Sequence, residues 1–179
     1  MFIALTSARE AEAEPMGVEI ALRAGAGYPL AFGLGFRAGA SIESLYFGVT
    51  LTNYFPRTFS PAPPPGPAGQ GVSGTETIQT LLYGIGLGYD FKPVTWLTIR
   101  PEIGVGFATV SGTCSTNPGA AADLGCLADT GTNPYIEPGV TGLFGLGTHA
   151  FVAANAGFVI VPHGDGSVVP LIAEAGVRF

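Results

Sequence analysis

Charged residues are scarce in this chain of 179 residues. Asp, Glu, Lys and Arg make up 11% of it, against roughly 25% in typical soluble domains. So few charges are not enough to cover a water-exposed surface, which argues against an ordinary soluble domain. The net charge of −6 includes only 7 basic residues and no basic stripe, so nucleic acid is not expected as a partner.

Long hydrophobic runs are also missing, although 47% of the residues are hydrophobic. A helix that spans a membrane needs roughly 18 or more consecutive apolar residues. The longest stretch without Asp, Glu, Lys or Arg, 138–164, is interrupted repeatedly by glycine and once by asparagine. The sequence therefore predicts no transmembrane helix.

Histidine is limited to two residues, which leaves little material for acid–base catalysis or metal binding. His149 is expected in a short turn. His163, Asp165 and Ser167 have the residue types of a nucleophilic triad, but one tight hairpin cannot bring them together as nucleophile, base and orienting acid. The glycine motif at 84–88 lies in a predicted strand with no following helix, so it is not a nucleotide site. We therefore expect no enzyme, no metal and no cofactor.

Alternation of apolar and polar residues with a period of two runs through most of the chain and predicts β-strands. The connections between these strands are mostly short and long in turn, the arrangement of an outer-membrane barrel with short periplasmic turns and long outer loops. We predict an all-β fold, an eight-stranded antiparallel up-and-down transmembrane β-barrel. Its strands are placed at 16–28, 30–40, 44–55, 76–90, 96–109, 134–146, 150–161 and 168–179.

The chain is long enough for one such domain, which we assign to residues 16–179. Residues 1–15 precede the first alternating strand. They combine a short apolar stretch with small and acidic residues, which is typical of a residual leader or a disordered segment.

The charges fall on one face of each predicted strand. In the first strand, Ile20 and Leu22 lie on one face and Arg23 on the other. The charged faces also contain many glycines and few large apolar groups, so they cannot fill a dry core. We therefore predict apolar faces toward lipid and a charge network in the lumen. The predicted network is Glu19, Arg23, Arg37, Asp90, Arg100, Glu102, Glu137, Glu174 and Arg178.

Aromatic residues near the strand ends predict two interfacial girdles. The expected members are Tyr89, Phe91, Trp96, Phe151 and Phe179 on the periplasmic side, and Tyr28, Phe55 and Tyr135 on the outer side. Pro101 lies inside a predicted strand, where its missing N–H predicts a bulge or a local break.

The last strand carries Leu171, Ala173, Ala175, Val177 and the terminal Phe179 at alternate positions. Together with the turn-like segment 89–96, residues 16–179 resemble the small eight-stranded outer-membrane barrels of Gram-negative bacteria, the OmpA- and OmpX-like group. The resemblance implies an outer-membrane location and a narrow lumen plugged by side chains. It also implies insertion by the barrel-assembly machinery, with Val177 and Phe179 as the assembly signal.

In that oxidising compartment, Cys114 and Cys126 are expected to form a disulfide within one outer loop. We expect a monomer embedded in outer-membrane lipid, with a structural role or a surface-interaction role through loops 56–75 and 110–133. Three alternatives stay open: a narrow pore or transporter of small hydrophobic ligands, an outer-membrane lipid-modifying enzyme, and a soluble lipid-binding barrel.

Overall fold

A computed structural model describes residues 16–59, 74–116, 131–162 and 167–179. Within these ranges, no helix is long and apolar enough to cross a membrane. Ten strands are present: β1 (Gly17–Tyr28), β2 (Phe32–Ile42), β3 (Leu45–Phe59), β4 (Gly74–Tyr89), β5 (Phe91–Val94), β6 (Leu97–Thr116), β7 (Gly131–Leu146), β8 (Ala150–Gly157), β9 (Val159–Ile160) and β10 (Ser167–Arg178).

The ten strands form eight spans of one closed antiparallel ring. β4 and β5 are separated only by Asp90 and both pair with β6, while β8 and β9 are separated only by Phe158 and both pair with β7 and β10. Each span pairs with its neighbours in sequence, and the pairing of β1 with β10 closes the ring. The predicted eight-stranded up-and-down barrel is therefore confirmed.

The strand bounds agree with the predicted ones to within three residues, except at the ends of three spans. The span of β4 and β5 continues to Val94, beyond the predicted end at 90. β3 continues to Phe59 and β6 to Thr116, beyond the predicted ends at 55 and 109. These extensions carry polar side chains, such as Thr58 of β3, which pairs with Thr77 at 2.9 Å. Because a ladder forms through backbone hydrogen bonds, it continues after the apolar alternation has stopped.

Pro101 lies within a continuous β6 and pairs in register with Val140 of β7. The expected bulge in this strand is therefore absent, and the break falls in the neighbouring span. The ladder to β6 has no pairs at Tyr89 and Asp90, which lie opposite Pro101 and Arg100. A missing N–H is tolerated here because the facing backbone has also left the ladder; the Asp90 N–H donates instead to the Ser44 carbonyl at 2.6 Å.

The barrel is apolar outside and charged inside. Leu22 and Leu171 are 74% and 63% exposed on the outer face, whereas Arg100 is completely buried. This polarity is the reverse of that in a soluble β-barrel, whose apolar side chains fill the interior. It suits a lipid environment, which accepts apolar side chains and a closed ladder without free backbone groups.

Six of the eight predicted girdle residues are exposed near strand ends, but the positions of Phe151 and Tyr135 were predicted wrongly. Both side chains lie inside the barrel and are almost fully buried. Their side chains fill space left by glycines: a β-carbon on Gly176 would lie 2.7 Å from the Phe151 ring, and one on Gly84 would lie 2.7 Å from the Tyr135 hydroxyl. An aromatic residue at an inward position of a strand packs against the wall of the lumen. The face of the strand on which a residue lies, rather than its aromatic character, therefore decides whether it can join a girdle.

Candidate functional site: the charged lumen

All nine residues of the predicted charge network occupy inward positions of the barrel. They come from five of the eight spans and from the Asp90 junction between β4 and β5. Since inward positions alternate along each strand, cross-strand register decides which charges meet. The structure brings eight of the nine together in two groups of ion pairs and leaves Glu137 outside both.

The first group is centred on Arg100. Its Nε and Nη2 donate to the two Asp90 oxygens at 2.5 and 3.0 Å, and its Nη1 and Nη2 donate to the two Glu19 oxygens at 3.0 and 2.9 Å. The guanidinium carbon lies 3.6 Å from the centroid of the Tyr46 ring. A planar guanidinium can bind two carboxylates in this bidentate manner and stack on an aromatic ring at the same time.

Arg178 joins this first group at its more exposed end. Its Nε donates to Glu19 Oε1 at 2.9 Å, and its Nη2 contacts the same oxygen. On the opposite side, the Ser41 hydroxyl donates to Asp90 Oδ2 at 3.1 Å. The first group therefore cross-links β1, β2, β6, β10 and the Asp90 junction through the interior.

The second group is built around Glu174, whose side chain is completely buried between two arginines. Arg23 Nε lies 3.0 Å from Glu174 Oε1, and Arg37 Nη2 lies 2.8 Å from Oε2. The N–H groups are not aligned along these contacts as in hydrogen bonds, so both are close ion pairs. They connect β1 and β2 to β10.

Glu102 completes the second group through neutral partners. Thr141 Oγ1 and Asn155 Nδ2 each donate to Glu102 Oε1 at 2.7 Å, while Arg37 Nη1 lies 3.4 Å from Oε2. Asn155 Nδ2 also lies 2.8 Å from Thr141 Oγ1. Thr141 and Asn155 are almost fully buried and extend the group to β7 and β8.

Little space remains between these side chains. The cavity beside the second group has a volume of about 30 Å³ and is lined by Arg23, Arg37, Glu102, Glu137 and Asn155, among others. A cavity of this volume holds no more than a few water-sized species at this level of the lumen.

Apolar side chains accompany the charged groups. One buried cluster contains Tyr54, Leu82, Ala108, Tyr135, Val159 and Val168, and Leu30 and Val161 pack against it. A second cluster contains Ala21, Leu143, Phe151 and Ala153. Leu30 lies in the very short connection between β1 and β2, where the Arg57 guanidinium donates to the Pro29 carbonyl at 2.6 Å.

The neutral members of the lumen were missed in the sequence. Tyr46, Thr141 and Asn155 all lie at inward positions of their strands. The alternation of apolar and polar residues was enough to predict that these positions face inward. Tyr46 also had a second signal in its glycine neighbours: the ring covers Gly39 and Gly48, where a β-carbon would overlap it. A pair of glycines beside an inward aromatic residue therefore indicates that the aromatic ring covers them on the inner surface of the barrel.

The remaining predicted sites lie at the ends of the chain or outside the described residues. Phe179 and Val18 exchange backbone hydrogen bonds of 2.9 and 3.0 Å, and the Val177 and Phe179 side chains are exposed. The backbone of Cys114 belongs to β6, but its side chain and Cys126 lie outside the described residues, as do His163 and Asp165. In the part of the chain that the structure describes, no three or more His, Cys, Asp and Glu residues are grouped so that they could hold a metal ion.

No protein-family model and no curated protein matches this sequence. Several solved structures match its fold. A major outer membrane protein from Thermus thermophilus has a TM-score of 0.65 at 13% identity, with 92% of this chain and 100% of that chain covered. The N-terminal β-barrel domain of Pseudomonas aeruginosa OprF has a TM-score of 0.54 at 13% identity, with 91% and 97% covered. Ail of Yersinia pestis, in complex with the heparin analogue sucrose octasulfate, has a TM-score of 0.52 at 10% identity, with 92% and 97% covered.

At these identities the comparison establishes the fold. The chain has the architecture of the small outer-membrane barrels, as the sequence resemblance predicted. Its outer face is apolar and its charges lie inside, as lipid requires. The fold and this polarity are those of a β-barrel that spans a membrane.

Proposed function

We propose that this barrel is a non-catalytic protein of the outer membrane whose lumen is plugged by its own side chains. The observation that carries the proposal is the luminal cavity of about 30 Å³ beside the ion-pair groups. Barrels of about eight strands have interiors that side chains just fill. A hydrated ion needs a wider continuous path than one such cavity offers.

The proposed role is structural, with surface interaction through loops 56–75 and 110–133. Its support is the length of the strands that lead into these loops. A tilted strand crosses a membrane in about 9–11 residues, whereas β6 has 20 and β4 has 16. The extra residues include polar pairs, such as Thr58 with Thr77 at 2.9 Å, and raise the loops above the apolar band.

Single-channel recording in planar lipid bilayers tests the plug directly. The purified protein should insert and give no steady current, because the ion pairs close the lumen. A large steady current would contradict the plug and favour the narrow-pore alternative. Mass spectrometry of lipid A after overexpression tests the non-catalytic role; unchanged masses are expected, and a new acylation or deacylation product would contradict it.

A further inference from the structure

The lumen contains one more carboxylate than it has guanidinium groups. Among the described residues, five inward carboxylates face four inward arginines, and the ion pairs use four of those carboxylates. The fifth is Glu137 of β7, which is half-buried, lines the luminal cavity and takes part in no ion pair of the described residues. A carboxylate with little access to water and no counter-charge is unfavourable, so an ionised Glu137 favours the uptake of a positive charge.

The cavity beside Glu137 has further unused polar atoms. Asn155 lines this cavity, is only 4% exposed and has no hydrogen-bond partner at Oδ1. Its Nδ2 is fixed by the carboxylate of Glu102, which only accepts hydrogen bonds, so Oδ1 is assigned unambiguously. The hydroxyl of Tyr46, which also lines the cavity, is buried without a partner.

Charged groups from several spans surround this site. Arg23 and Arg37 face this site, but their ion pairs are with Glu174 and Glu102, and neither forms an ion pair with Glu137 among the described residues. The groups facing the site or close to it are Arg23 on β1, Arg37 on β2, Tyr46 and Tyr54 on β3, Glu102 on β6, Tyr135 on β7, Asn155 on β8 and Glu174 on β10. β4 contributes uncharged Ile85 and Gly86.

We propose that Glu137 and the adjoining cavity form a site for one positive charge, taken up as a proton on the carboxyl group or as a sodium-sized monovalent cation. A proton turns Glu137 into a neutral acid whose O–H can donate to an acceptor or to one trapped water. A cation would use the carboxylate, Asn155 Oδ1 and neighbouring oxygens as ligands. Either one neutralises the excess negative charge, and the small volume of the cavity suits a species of this size.

A matched pair of isosteric variants tests this proposal in lipid vesicles. Glu137→Gln removes the excess charge and should leave the urea midpoint of unfolding unchanged or raised. Glu174→Gln removes a carboxylate that neutralises two arginines and should raise the unfolding constant by at least about 100-fold. If Glu137→Gln raises the unfolding constant as much as Glu174→Gln does, Glu137 is an ordinary ion-pair member and the proposal is wrong.

Two further measurements on the wild-type protein separate the two sources of charge. Infrared difference spectra against Glu137→Gln should show the carbonyl band of a protonated carboxylic acid if the charge is a proton. If it is a cation, that band is missing and replacing choline by sodium at constant ionic strength raises the unfolding midpoint of the wild type alone. Absence of both effects overturns the proposal even when both variants fold.

Discussion

Arg100 illustrates how a single residue can be charged and completely buried in this barrel. Its guanidinium has five N–H donors, and the two carboxylates of Asp90 and Glu19 take four hydrogen bonds from them. Tyr46 covers one face of the guanidinium plane. The side chain has exchanged water for a fixed set of partners, and its removal would leave two buried carboxylates without their main counter-charge.

Replacing Arg100 by methionine should therefore destabilise the folded barrel by about 3–5 kcal/mol, the usual cost of breaking a buried ion pair on one side. Urea unfolding in lipid vesicles, followed by tryptophan fluorescence of Trp96, measures this change. Arg57→Met is the control, because that guanidinium is exposed and its interactions, which include the bond to the Pro29 carbonyl, should together contribute no more than about 1 kcal/mol. Equal effects of the two substitutions would show that burial of Arg100 has no special cost.

The charged residues of the lumen could be predicted from the sequence, but their neutral partners could not. Charge and parity identify the nine network residues in the sequence, because Asp, Glu and Arg stand out among glycine and alanine. Partners are decided by register and by side-chain reach, which the sequence does not contain. Thr141 and Asn155 illustrate this. Both bind Glu102, from β7 and β8, yet in the sequence each looks like any polar strand residue.

At the scale of the strand, the period-two alternation predicts where strands lie but not where they stop. Apolar residues are needed at alternate positions only where a strand faces lipid. The backbone ladder does not depend on that pattern, and in β6 it continues to Thr116. The same limit explains the split of one span at Asp90. Its carboxylate is held by Arg100 and Ser41, and its N–H bonds to Ser44 instead of continuing the ladder. At Asp90, the carboxylate is placed to pair with Arg100 inside the lumen, and the regular strand is interrupted as a result.

The last strand, β10, is proposed to carry the assembly signal. Phe179 is 70% exposed, and only its backbone is held, by Val18. Phe179→Ala should therefore slow insertion by the purified barrel-assembly machinery in proteoliposomes while changing the urea midpoint of the folded protein little. Trp96→Ala is the matched control, since Trp96 is an exposed aromatic residue near the same rim but outside the last strand. If both variants slow insertion equally, the effect belongs to the exposed aromatic residues of the girdle in general. That result would contradict an assembly signal in β10.

For the whole molecule, closure and inverted polarity depend on each other. A closed ring leaves no strand edge in lipid, which is the condition for any sheet to span a membrane. The charged interior then has to neutralise itself, and the two groups of ion pairs do so for all inward charges of the described residues except that of Glu137. The stability of the barrel and the proposed plug thus depend on the same arrangement of side chains.

The most direct test of this arrangement is a measurement of which leucines contact lipid in the unmodified protein. Methyl-labelled protein in lipid nanodiscs reports such contacts as NMR cross-peaks between leucine methyls and acyl-chain protons. Leu22, Leu34 and Leu171, which are exposed on the outer face, should give strong cross-peaks, whereas buried Leu82 and Leu143 should give none. Cross-peaks from Leu82 and Leu143 in place of the outer three would reverse the polarity of the barrel and contradict the account.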